Sequence, residues 1–253
     1  MNLKDFYCLL ARLLLGYIFF SSGLCKLADG HFGQIIGPPF LIADLEPHRL
    51  GGFGIFLAFS QVMTGALVLS QRWSLLGLVM LVPMNVSILA ATISMGWSGT
   101  PYVNGFLLII NLLALLYEWK TLRFFLIPET KETLLPTRTY QLFPGFWLAL
   151  GVLLAAFVAA ATARFFHPFM LLAGLATLML AWVNVWRSTK TSWLAKTVLA
   201  ASLLAIISLS LTEQLSAFQL NVQLPLLLGI AIAALATATL TLRFWLSKKT
   251  KMC

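Results

Sequence analysis

The chain has 253 residues, of which 60% are hydrophobic and 10% charged, with a mean hydropathy of +0.92 and a formal net charge of +9. An average soluble domain carries about 25% charged residues, so this chain lacks the polar side chains to cover a water-facing surface, and lipid is the solvent that tolerates it. Its positive residues punctuate hydrophobic segments instead of forming one patch, which excludes a nucleic-acid-binding reading.

A spanning helix needs about 20 predominantly apolar residues. By that measure the chain predicts eight transmembrane helices, at 6–27, 51–70, 73–95, 102–118, 143–163, 168–186, 193–211 and 222–246. The N-terminal run has no A-x-A-like cleavage site and stays apolar to Leu27, so it is expected to be a retained helix, not a signal peptide. The expected fold class is all-α, polytopic, with a four-helix domain at 1–119, a cytoplasmic linker at 120–142 and a second four-helix domain at 143–253.

The first predicted helix carries Arg12, Gly16, Gly23 and Lys26 at steps that keep them on one face. Two readings stand: both cations snorkel to the interfaces while the glycines allow close packing, or one or both face inward and hold an anionic or quinone-like head group. The second helix carries Gln61 and Thr64. The third carries Asn85 and Thr92 just after Pro83, whose ring frees a backbone carbonyl that a nearby polar group often satisfies. Asn104, Asn111 and Glu118 form one stripe on the fourth, at spacings of seven. Gln61, Asn85, Asn104 and Asn111 are thus either interhelical hydrogen-bonding groups or the lining of a polar pocket inside the first bundle. The last four helices hold few polar groups, chiefly Asn184, so chemistry is expected in the first half.

Three histidines, His31, His48 and His167, fall in connections on one side, but their spacing with Asp29, Asp44 and Glu46 matches no compact metal motif. No metal site is expected. Cys8 and Cys25 lie 17 residues apart on one helix, roughly 25 Å by helical rise, beyond the ~7 Å a disulfide allows. Walker, Rossmann, zinc, c-type haem and serine-hydrolase signatures are absent. The sequence therefore does not say whether the chain is an enzyme.

Orientation follows from lysine and arginine. With the N-terminus inside, Lys4, Arg12, Arg72, Lys120, Arg123, Lys131, Arg138, Arg187, Lys190, Lys196, Arg243, Lys248, Lys249 and Lys251 lie toward the cytoplasm, and only Lys26, Arg49 and Arg164 lie outside. Both termini are accordingly expected on the cytoplasmic side of a bacterial inner membrane. Trp73, Trp97, Trp119, Trp186, Trp193 and Trp245 fall near predicted helix ends, where an aromatic belt places them.

The stretch RLLLGYIFFSSGLCKL at 12–27, with PMNVSILAATISMGWSGTPYVNGFLLIINLLALLYEW at 83–119, resembles the DoxX-like membrane proteins over roughly the first 120 residues. That resemblance implies a four-helix bundle with cytoplasmic termini, makes Arg12 and Lys26 the family-like positions, and implies a role near quinone-linked oxidoreduction, oxidative-stress complexes or disulfide chemistry. The second set of helices departs from the short family members, and no cysteine pair supports thiol–disulfide exchange within the chain. The leading expectation is a DoxX-like protein supporting a redox or respiratory process. A partner protein in the membrane or periplasm is expected, with a quinone or small lipophilic ligand bound by Arg12, Lys26, Gln61, Asn85, Asn104 and Asn111. A small-solute permease and a structural subunit of a membrane complex are the alternatives.

Overall fold

Lipid offers no hydrogen bonds, so each apolar run must close its own backbone ladder, and helices are the single-segment solution. The structure, a computed structural model, describes residues 3–126, 137–143, 145–188 and 193–217, with isolated positions between 227 and 241. Among them the regular structure is helical throughout: α1 (Leu3–Leu27), α2 (Leu41–Leu45), a 3-10 turn (Glu46–His48), α3 (Gly51–Leu69), α4 (Ser74–Ser94), α5 (Thr100–Tyr117), α6 (Trp119–Leu126), α7 (Arg138–Leu142), α8 (Phe146–Thr162), α9 (His167–Ser188), α10 (Trp193–Ser210) and α11 (Thr212–Ala217).

Six of these, α1, α3, α4, α5, α9 and α10, are long and apolar enough to cross a membrane, and α8 is an apolar helix of 17 residues. The chain is a multi-pass membrane protein by that measure. The predicted eighth span at 222–246 lies, apart from isolated positions, outside the described residues.

Helix α1 is the hub. Of its apolar window 83% is buried, against 22% for α5. One side packs with α4 and α5 through Leu15, Ile18 and Phe19. Another joins Leu9, Leu13, Phe20 and Leu24 to an apolar cluster that includes α3, α8, α9 and α10. Between helices in lipid the drive is close van der Waals contact, which small residues permit. A Cβ on Gly23 would lie 2.5 Å from Ala58 O, and one on Gly65 would lie 2.4 Å from Phe20 N. Those two glycines let the α1 and α3 backbones touch, and they fix the antiparallel register of the pair.

Helix α4 turns back from α3 through Gln71, at φ 59, and Gly77 packs against Val68. Helices α8 and α9 pack together, and Asn184 on α9 donates to the Ser70 carbonyl at 2.9 Å, tying the second half to the end of α3. The bundle therefore has two polar ends. One gathers the α1 N-terminus, the 70–73 turn, α6 and α7. The other gathers residues 28–50, the 95–99 turn and α11.

Candidate functional site

Lys26 stands at the last turn of α1, where the helix dipole is negative and favours a cation. Its side chain leans back toward the N-terminus, as helical side chains do, and Nζ donates to Ser22 O at 3.0 Å and Ser22 Oγ at 2.5 Å. The residue is 3% exposed, so it faces inward and does not snorkel. Among the described residues no carboxylate pairs with it. A buried ammonium held only by neutral oxygens is expensive and marks a site that accepts a further partner.

The partner's space is present. A cavity of about 300 Å³ lies against Ser22 and Lys26 of α1, Gln61 of α3, Thr92 of α4 and Asn104 of α5, with Trp97 at one edge. Apart from Ser87 and Thr100 the remaining wall is apolar: Ile18, Phe19, Leu57, Ile88 and Leu107 among others. Most ligand pockets share this composition, an apolar wall with a few polar groups that fix orientation. Gly37 closes one side. Its φ of +121 suits glycine, and a Cβ there would sit 3.2 Å from Lys26 Nζ and 3.0 Å from Ser22 Oγ. Gln34 Nε2 donates to Gly37 O at 2.9 Å and holds this loop in place.

The helix registers set Ser22, Gln61, Asn85 and Asn104 at one level of the first bundle. Gly23 against Ala58–Val62 aligns Ser22 with Gln61, and Gly77 against Val68 carries the antiparallel α3–α4 pairing to Gln61 and Asn85. Asn104 Nδ2 then donates to the Asn85 carbonyl at 2.8 Å. In this layer Gln61 Oε1 and both side-chain polar atoms of Asn85 are buried with no hydrogen-bond partner, as is Thr64 Oγ1 one turn along α3. Unpaired polar groups at membrane depth cost free energy until something meets them.

Asn111 points elsewhere. With its amide oriented to satisfy both contacts, Nδ2 donates to Leu78 O at 3.2 Å and Oδ1 accepts from Val82 N at 3.3 Å. It grips the α4 ladder just before Pro83 and does not line the cavity. The Asn104–Asn111–Glu118 stripe thus serves three different neighbours.

Arg12 lies at the opposite end from Lys26 and is fully buried. Its Nε donates to Gln71 Oε1 at 3.0 Å, and Nη1 donates to Thr139 Oγ1 and lies 3.8 Å from Glu118 Oε1. Glu118 in turn accepts from Arg138 N at 2.8 Å, from Thr139 N at 2.9 Å and from Thr139 Oγ1. Beside this, Arg138 Nη2 pairs with the buried Asp5 at 3.0 Å, and Tyr117 also donates to Asp5. The hydrogen bond and charge of Asp5 raise the Arg138 guanidinium above arginine's ordinary value, so it stays charged. The network anchors α7 beneath the bundle and gives Arg12 no face on the Lys26 cavity.

Of the six sequence-derived candidates, the structure brings Lys26, Gln61 and Asn104 together at the cavity, sets Asn85 beside them, and places Asn111 and Arg12 apart. Ser22 and Gly37 were not singled out from the sequence, and Trp97 was expected only as an aromatic-belt residue near a helix end. Ser22 had a local signal, standing four residues before Lys26; Gly37 had none beyond the turn chemistry around it.

His31 and His167 do meet, their rings 4.1 Å apart, with His31 Nδ1 2.7 Å from Glu213 Oε1. Among the described residues no group of three or more His, Cys, Asp or Glu is arranged to hold a metal. Cys8 and Cys25 are both free and buried. No family model, curated protein or solved structure matches the chain.

Proposed function

We propose that this chain is a bacterial inner-membrane protein, with cytoplasmic termini and DoxX-like character, that binds a lipophilic molecule with a small oxygen-bearing head, a quinone in the first instance, at Lys26. In this reading it supports a redox or respiratory process together with a membrane or periplasmic partner. The observation that carries the binding site is the Lys26 ammonium: buried, without a carboxylate, and on the wall of a largely apolar cavity. A quinone carbonyl accepts from Nζ while the ring and tail lie along Ile18, Phe19 and Leu107. In the quinol form the carbonyls have become hydroxyls, and one of these can donate to Gln61 Oε1, an acceptor that lacks a donor.

Trp97 reports on occupancy because it borders the cavity. In detergent or nanodiscs, decylubiquinone is expected to quench saturably the Trp97 share of the fluorescence, read as the difference between wild type and Trp97→Phe among the eight tryptophans. Lys26→Met is expected to weaken binding about tenfold or more, since a hydrogen bond to a charged group contributes about 1.5–3 kcal/mol. Saturable binding of equal strength in wild type and Lys26→Met would remove the basis for the site. Oleate in place of the quinone distinguishes a general acceptor site from a quinone-selective one.

A further inference from the structure

A second cleft lies away from Lys26. Its floor is α1 and its walls are α5 and α10, with Ile35 of the segment after α1 also lining it; it encloses about 660 Å³, and its lining is almost wholly apolar. Along α1 it runs from Tyr7 to Tyr17, about 15 Å by helical rise. That is half of a ~30 Å hydrocarbon core, the depth of one leaflet. At its α7 end the cleft reaches Tyr117, and Tyr117 is also a wall of a polar recess of about 630 Å³ bordered by Trp119, Lys120, Arg138 and Gln141.

The recess has the charge an anionic head group needs. Lys120 is exposed at the α5–α6 junction. Arg138 keeps a half-exposed guanidinium, one edge of which is taken by Asp5. Glu118 also borders the recess, but it is 3% exposed and its oxygens already accept from Arg138 N, Thr139 N and Thr139 Oγ1. The basic side chains therefore set the field at the opening. Trp119, 44% exposed, marks the depth at which lipid head groups begin.

We infer that cleft and recess together hold one anionic phospholipid, with an acyl chain along α1 between α5 and α10 and its phosphate beside Lys120 and Arg138. Length, apolarity and charge each fit a different part of that one molecule. The site is separate from the Lys26 cavity, with which it shares no lining residue.

Native mass spectrometry of the detergent-solubilised full chain tests this with dioleoylphosphatidylglycerol against dioleoylphosphatidylcholine. The expected result is a one-to-one adduct that favours the glycerol lipid by about fivefold or more, the effect of one basic residue at a membrane surface. Lys120→Gln, on an exposed side chain, is expected to erase most of that preference. Ala11→Phe, which fills the cleft, is expected to weaken both lipids. Equal binding of the two lipids to the wild type would overturn the assignment, as would an undiminished preference in Lys120→Gln. Displacement of the lipid by millimolar inorganic phosphate would also overturn it, since the recess would then be an anion site that needs no tail.

Discussion

Arg12 and Lys26 look alike in the sequence: one cation near each end of one helix, on one face. Their environments separate them. Arg12 uses the planar fork of arginine to hold Gln71 and Thr139 at once while lying beside Glu118. Lys26 donates only to Ser22 and borders a largely apolar cavity. Arg12→Met is therefore expected to act on stability, because it leaves Glu118 buried without its cation. Breaking such a pair costs about 3–5 kcal/mol, or on the order of 10 °C in Tm for a chain of this size. A thermal-shift assay in detergent checks this. Arg12→Lys is expected to lose much of the same, since an ammonium does not reproduce the fork. A Tm unchanged in both variants would mean the network contributes little. Nothing local to residue 12 announces this role, because one partner sits 127 positions away. At Gly23 the backbone contact sets the effect: Gly23→Leu is expected to force α1 from α3, with a loss beyond the 1–3 kcal/mol usual for overpacking.

At the scale of the helix, the apolar runs were legible to within a few residues. The predicted 51–70 and 73–95 became Gly51–Leu69 and Ser74–Ser94, and 193–211 became Trp193–Ser210. Length and hydropathy decide these, and both are local. α7 was not legible. Its five residues lie inside the predicted linker, and the only local signal is Thr137, whose side chain accepts from Tyr140 N as a helix cap. What holds α7 is Glu118 and Asp5, both distant in sequence. Asp5→Asn combined with Glu118→Gln is accordingly expected to free α7 and speed tryptic cleavage after Arg138 severalfold, read by limited proteolysis in detergent. Unchanged cleavage would show that α7 docks by other means. The α4–α5 pair supplies a contrast between neighbours on one stripe. Asn111→Leu removes interhelical hydrogen bonds that average about 0.6 kcal/mol in membranes, so Tm is expected to move by about 2 °C. Asn104→Leu, at the cavity, is expected to weaken quinone binding while Tm changes as little.

Over the whole molecule, composition carries what the sequence could convey, and packing carries the rest. A chain this apolar reads at once as membrane-embedded, but which helix becomes the hub depends on where small residues let backbones meet, and Gly23 and Gly65 do this for α1 and α3. The same long-range packing brings Asn184 to Ser70, a contact no pattern in either segment foretells. Charge supplies an independent constraint on how the bundle sits. Lys4, Arg72, Lys120 and Arg138 gather with the α1 N-terminus, while the other end keeps Lys26, Arg49 and Arg164. Because lysine and arginine resist translocation in short loops, the α7 end is expected to face the cytoplasm. Two single-cysteine reporters decide it in a background in which Cys8, Cys25 and Cys253 are serine: Lys4→Cys and His48→Cys, both at exposed positions. A membrane-impermeant maleimide added to intact cells is expected to label His48→Cys and to reach Lys4→Cys only after permeabilisation. The reversed pattern would invert the protein in the membrane and put the α7 recess in the outer leaflet. Labelling of both reporters in intact cells would be incompatible with α1 as a span, since α1 and the short segment after it are all that separates them.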